Sequence, residues 1–321
     1  MRVSSSAPRR PFLTARWESL VLVSWACPAA ILEPLVPRGT ELDEWQGEHL
    51  VSLVGFLFRD TRVLGVPVPR HRTFEEVNLR FYVRRTADGE TRRAVVFIRE
   101  LVPRRAIAAV ARRVYDEPYL AVPMDHSIAL DARSGGQAVY GWRFEGAPFG
   151  LGAEVEGAAR PLEPGSEAEF ITEHYWGYTR RRDGRTLEYR VDHPRWRVWE
   201  ADRALFGGPA PALYGPGLGQ VLSGRPRSAF VAVGSEVTVY RGRALAGSRR
   251  RAGRPAARGL RGEPRGVRLP HDSGRPPRRG PADHGLVRRL HGPGGPGAPA
   301  PVPVDRRVRG VQLRGAPRGP R

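Results

Sequence analysis

The sequence predicts an α+β, β-rich fold, with antiparallel strands forming most of one large domain and a few short helices at its periphery. Three observations predict it. Residues 76–83 alternate strictly, with Val77, Leu79, Phe81 and Val83 on one face and Glu76, Asn78, Arg80 and Tyr82 on the other. Two Asp-Gly pairs, Asp88-Gly89 and Asp183-Gly184, each sit between runs that read as strands. Helical periodicity is scarce, and neither an internal repeat nor a heptad pattern is present.

Residues 1–11, rich in Ser, Arg and Pro, read as a flexible arm. The longest apolar stretch, residues 20–32, is interrupted by Ser24 and Pro28 and is too short to span a bilayer. Trp17 and Glu18 before it, and Trp25 within it, argue against a secretion signal, so a cytoplasmic protein with no membrane association is expected. Residues 29–35 read as a short helix stopped at Pro37-Arg38-Gly39. Residues 51–58 form a near-continuous apolar run, as a strand covered on both faces does.

After the 76–83 strand and the Asp88-Gly89 turn, residues 94–98 return as an apolar strand. Pro103 opens a helix to about Tyr115, with Ile107, Val110, Ala111 and Val114 on a single face. Glu117-Pro118 ends it. Ser166 and Glu169 have capping-box spacing and start a short helix that runs to about His174. A hairpin follows, with residues 175–182 and 185–191 joined at Asp183-Gly184. Gly234-Ser235 is read as the link between two final strands, residues 229–233 and 236–240.

Composition divides the chain at about residue 245. Residues 12–245 hold every Trp, Tyr and Phe, and carry the apolar content of a folded domain. Residues 246–321 contain 19 Arg, 15 Gly and 13 Pro but no aromatic residue and no Ile, so they cannot bury enough apolar surface to offset their ordering entropy. A disordered tail is expected there. Its composition is what a GC-rich gene read out of frame would give. The alternative is an Arg-rich arm for RNA or another polyanion.

The tail has a net charge of +15 and the rest of the chain +5, so the basic balance does not mark the globular part as a nucleic-acid binder. The single cysteine, Cys27, excludes an intrachain disulfide, and the histidines show no metal-ligand spacing. Neither metal nor cofactor is expected. The chain has no lysine.

Several runs, taken together in this order, resemble the YqjF-like family, a bacterial domain of unknown function. They are Phe12-Leu13-Thr14-Ala15-Arg16-Trp17, Leu35-Val36-Pro37-Arg38-Gly39-Thr40-Glu41-Leu42-Asp43, Ser52-Leu53-Val54-Gly55-Phe56, Glu76-Val77-Asn78-Leu79-Arg80-Phe81-Tyr82-Val83, Glu173-His174-Tyr175-Trp176-Gly177-Tyr178-Thr179 and Val191-Asp192-His193-Pro194-Arg195-Trp196. The resemblance covers residues 12–245. It implies an acetoacetate-decarboxylase-like antiparallel β-barrel around a small-molecule cavity. Relatives with known chemistry use a lysine Schiff base. Without lysine, the resemblance carries over the barrel and its cavity but not that mechanism.

If the polar face of the 76–83 strand lines the lumen, Glu76, Asn78 and Arg80 bring a carboxylate, an amide and a guanidinium to one space, and Tyr82 extends the wall. Arg80 would clamp a substrate carboxylate and Glu76 would act as general acid or base. An ordinary solvated sheet face fits the same pattern. Glu173, Tyr175 and His193 are further ligand-binding candidates, although a strand-end histidine more often bonds backbone groups. Trp176, Trp196 and Trp199 fit either a ligand wall or a core. The expected function is binding of an oxo or carboxylic acid, with or without lysine-independent catalysis. The alternatives are a non-catalytic ligand-binding or oligomeric scaffold and polyanion binding through the tail. Self-association into a homo-oligomer is expected.

Overall fold

A computed structural model of the chain describes residues 10–68, 72–87 and 89–245. The expectations for most of the arm (residues 1–9), for Asp88 and for the tail (residues 246–321) lie outside the described residues.

Seven strands form the body: β1 (Pro11–Ala26), β2 (Leu50–Val63), β3 (Phe74–Ala87), β4 (Glu90–Val102), β5 (Trp176–Arg180), β6 (Thr186–Asp192) and β7 (Ser228–Tyr240). Each pairs with the next, and β7 pairs with both β6 and β1, so the sheet closes into a ring. Every pairing is antiparallel except β4 with β5, whose long connection leaves the ring and returns. The ring agrees with the β-rich, acetoacetate-decarboxylase-like expectation. Pro11, assigned to the arm from the sequence, belongs to β1, opposite Tyr240.

A second sheet of four antiparallel strands, Met124–Asp131, Gly135–Phe144, Ala147–Glu156 and Arg203–Gly207, packs on the outside of the ring. The two sheets share a core in which Val77, Leu79, Phe81 and Val83 of β3 meet Tyr140, Trp142 and Leu151. Gly55 of β2 makes room for this docking. A Cβ there would lie 2.7 Å from the Tyr140 ring. A separate hydrophobic cluster joins Leu20, Val54, Phe56, Phe58, Phe74, Phe230 and Val237 with Phe170 and Ile171. Both faces of β3 are therefore covered, unlike those of a solvated sheet.

Helix α1 covers Ala29–Leu32, with a 3₁₀ turn over Glu33–Leu35. Helix α2 covers Arg105–Tyr115 and ends at Asp116, whose left-handed backbone (φ +59°) turns the chain inward. Helix α3 covers Glu167–Thr172. Ser166 Oγ accepts from the Glu169 N–H at 3.2 Å, as the capping-box spacing predicts, while the Glu169 carboxylate reaches back to the Gly165 N–H at 2.6 Å.

The expected break at Gly234-Ser235 is absent, and β7 runs unbroken through it. Gly234 sits at φ +88° beside the β1 kink at Ser19 (φ +56°). A Cβ on Gly234 would lie 2.0 Å from the Trp17 carbonyl oxygen. The glycine bends one strand instead of separating two.

Candidate functional site

Strands of the ring and helix α2 line a cavity of about 250 Å³. Its wall is set largely by the pleat of β3 against β2, where Phe58 pairs with Phe74, Phe56 with Glu76, Val54 with Asn78 and Ser52 with Arg80. The cavity-lining residues of β3 therefore read Phe74, Glu76, Asn78, Arg80, apolar at one end and cationic at the other. Trp17, Phe56 and Phe58 line the cavity near the apolar end, and α2 adds Ile107 and Ala111. Glu100, Glu117, Tyr119, Thr172 and His174 add to the polar wall.

Three carboxyl groups are buried in this wall: Glu76, Glu100 and Glu117, exposed by 3, 1 and 6 %. Glu76 accepts hydrogen bonds from Asn78 Nδ2 and from the Tyr119 hydroxyl, both at 3.1 Å. Glu117 accepts from the Tyr189 hydroxyl at 2.6 Å and from Thr179 Oγ1 at 3.3 Å. Tyr189 reaches it by crossing Gly177, where a Cβ would lie 2.2 Å from the phenol carbon. One oxygen of Glu100 has no hydrogen-bond partner among the described residues.

Burial pushes the Glu76 carboxyl up to about 7, against the hydrogen bonds from Asn78 and Tyr119. Burial raises Glu117 to about 7 as well, and raises Glu100 well above the carboxylate range, with Glu117 and Glu76 adding to the effect. Glu76 and Glu117 therefore titrate near neutrality, where acid–base chemistry needs them.

The other end of the wall is cationic. Arg80 Nη2 donates to the Ile171 carbonyl at 3.0 Å, and its buried Nε has no partner among the described residues. His174 is buried, and neither ring nitrogen makes a hydrogen bond of normal geometry among the described residues. Burial holds its imidazole well below the usual value, and Arg80 and Arg93 add to this. Asn78 Oδ1 is likewise buried and unpartnered among the described residues. A guanidinium, a neutral imidazole and an amide oxygen thus have unused hydrogen-bonding capacity around one cavity.

Of the residues singled out in the sequence, Glu76, Asn78, Arg80 and His193 line this cavity, whereas Tyr82, Glu173 and Tyr175 do not. Tyr82 is buried, but its hydroxyl lies in a chain with Ser52 (2.6 Å), which in turn meets Ser24 (2.7 Å). Glu173 caps α3 through its N–H, and its carboxylate takes the Tyr175 hydroxyl. Residues 173–175 form no strand, so alternation does not apply to them, and the residue between the two chosen is the one that lines the cavity. His193 bonds the Pro194 carbonyl through Nδ1 at 3.0 Å and stacks on Trp196 at 4.1 Å. Trp176 and Trp196 line the cavity, while Trp199 belongs to the core between the sheets.

Glu100, Glu117, Tyr119, His174 and Tyr189 were not anticipated. The available signal for Glu100 was an acid set among Ile98, Leu101 and Val102. Glu117 was read only as a helix stop.

A closed ring of seven strands with a second sheet on its outside defines an acetoacetate decarboxylase-like fold. Solved structures share it. An acetoacetate decarboxylase-like enzyme from Sphingomonas wittichii RW1 matches with a TM-score of 0.55 at 14% identity, over 76% of this chain and 98% of that one. Acetoacetate decarboxylase from Legionella pneumophila matches with a TM-score of 0.52 at 15% identity, over 76% and 93%. The enduracididine biosynthesis enzyme MppR, complexed with pyruvate, matches with a TM-score of 0.51 at 13% identity, over 75% and 93%.

The chain belongs to the DUF2071 family of uncharacterized conserved proteins, whose model matches residues 14–236. The protein YqjF of Bacillus subtilis (strain 168) is 28% identical over 199 residues, spanning 59% of this chain and 76% of that relative. No helix among the described residues is long and apolar enough to cross a membrane.

Proposed function

We propose that the barrel is a binding site for an oxo or carboxylic acid, with Arg80 meeting the ligand carboxylate and Glu76 serving as acid–base group. The observation that carries this reading is the shared wall. Glu76, Asn78 and Arg80, alternate residues of one strand, line a single cavity instead of a solvated face. His174 is a further donor or acceptor for a ligand oxygen, and Asn78 Oδ1 an acceptor for a ligand hydroxyl. MppR, a relative in fold alone, has been obtained with the oxo acid pyruvate. Catalysis, where it occurs, proceeds by proton transfer and electrostatics. With no lysine in the chain, no side-chain amine condenses with a ligand carbonyl.

A thermal-shift screen of organic acids tests the reading, because a ligand that binds only the folded state raises the melting temperature. An acid that stabilises the wild type is expected to lose its effect in Arg80→Ala. An undiminished shift in the variant would remove Arg80 from the site. Turnover that falls in Glu76→Gln separates an enzyme from a non-catalytic binding scaffold with the same cavity. A homo-oligomer and a cytoplasmic location belong to the same proposal, tested by light scattering and by cell fractionation. Polyanion binding through the tail is the weaker reading, and unaltered RNA affinity in a chain shortened after Leu245 would dismiss it.

A further inference from the structure

The proposed function leaves open what kind of acid the cavity takes, and its shape and lining bear on this. Much of the cavity wall is aromatic and aliphatic, with Trp17, Phe56, Phe58 and Phe74 from the strands, Phe97 beside Arg80, and Ile107 and Ala111 from α2. The aromatic rings form a connected array, with Trp17 5.0 Å from Phe56 and 5.7 Å from Phe58, and Phe58 stacked on Phe74 at 4.6 Å. The unused polar atoms of Asn78, Arg80 and His174 belong to the polar part of the wall.

Volume sets the second constraint. An apolar cavity of about 150 Å³ admits a benzene ring. A cavity of about 250 Å³ therefore has room for one ring together with a polar head. A three-carbon acid held at Arg80 would leave the rings of Trp17, Phe58 and Phe74 without contact, and apolar surface left uncovered contributes nothing to affinity.

Charge sets the third. While Glu76, Glu100 and Glu117 hold their protons, Arg80 is the one lasting charge among the polar lining residues named here. A monoanion is thus matched, and a dicarboxylate would bring its second charge to the carboxyl cluster or the aromatic rings.

We infer that the cavity is built for an amphipathic monocarboxylic acid, a 2-oxo or related acid carrying an aryl-sized apolar group, with its head at Arg80 and His174 and its ring against Trp17, Phe56, Phe58 and α2. The inference rests on the proposed organic-acid site and adds the ligand's apolar half.

Calorimetric titration of the full chain with three probes separates the two readings. Phenylpyruvate carries both halves, pyruvate only the acid, and phenylacetone only the ring and ketone. Phenylpyruvate is expected to bind at least about tenfold more tightly than either of the others. Ala111→Phe, which adds a ring to the α2 wall of the cavity, is expected to weaken phenylpyruvate by about tenfold. Equal affinities for phenylpyruvate and pyruvate would overturn this inference while sparing the organic-acid site. Phenylacetone binding as tightly as phenylpyruvate would overturn both, as would no binding by any of the three. The wild-type comparison decides the matter even if the filled variant fails to fold.

Discussion

Glu100 lies 1% exposed with an oxygen that no described residue satisfies, and a carboxyl in that position is costly when ionised. Replacing it with glutamine removes the charge and keeps the shape. Glu100→Gln is expected to leave stability near pH 5 little changed and to raise it at pH 8 by roughly 1–3 kcal/mol, read by denaturant unfolding at the two pH values. A variant less stable than the wild type at pH 8 would mean that the carboxylate is paired in a way the structure does not contain. This cost also explains why the cluster reads as functional: a core with no task for three acids would be more stable with apolar residues in their place.

Sequence reasoning reached Glu76, Asn78 and Arg80 because period-two alternation assigns residues to faces. It could not say what covers each face, since that is decided by strands some 60 to 160 residues away. Glu100 and Glu117 were hidden for a different reason. One lies near the end of a strand and the other follows a helix, where polar residues are ordinary.

Strand β7 turns on Gly234. Its φ of +88° and the 2.0 Å approach of a Cβ to the Trp17 carbonyl leave no space for a side chain. Gly234→Val is expected to lower stability by about 2–4 kcal/mol, measured by chemical denaturation, whereas a loop glycine such as Gly184, with open space around its Cβ position, should tolerate Asn at well under 1 kcal/mol. The Asp183-Gly184 hairpin and the capping box at Ser166 were legible because each depends on two to four neighbouring residues.

The second sheet was not. Its strands carry Gly135, Gly136, Gly141, Gly150 and Gly152, which dilute the apolar pattern, yet several of these are packing sites. A Cβ on Gly136 would lie 1.9 Å from the Ala129 carbonyl oxygen. The Gly234-Ser235 break was misread because a glycine that bends a strand and one that ends it look alike in sequence.

For the molecule as a whole, three buried acids make stability depend on pH. Glu76 and Glu117 are raised from the ordinary value of 4.5 to about 7, and burial raises Glu100 well above 4.5 as well. Between those limits the unfolded chain has released these protons and the folded chain retains them. The stability the protonated cluster contributes is therefore fully present below about pH 4.5 and is lost as pH rises through about 7. A melting temperature that falls between pH 5 and pH 8, with a smaller fall in Glu100→Gln, is the expected calorimetric result.

The β-rich architecture was readable because composition and periodicity report directly on it. Closure of the ring through β6 and β7 rests on two residue pairs, Val191 with Val239 and Asp192 with Thr238, that no local pattern announces.

The central claim, that the polar wall of β3 is a ligand site inside the barrel, is tested most directly by a crystal structure of the protein soaked with a saturating organic acid that stabilises it. The account predicts ligand density within the ring, with its carboxylate on the Arg80 guanidinium and within hydrogen-bond reach of His174. An acid found only on the outer surface, with the ring occupied by solvent alone, would contradict it.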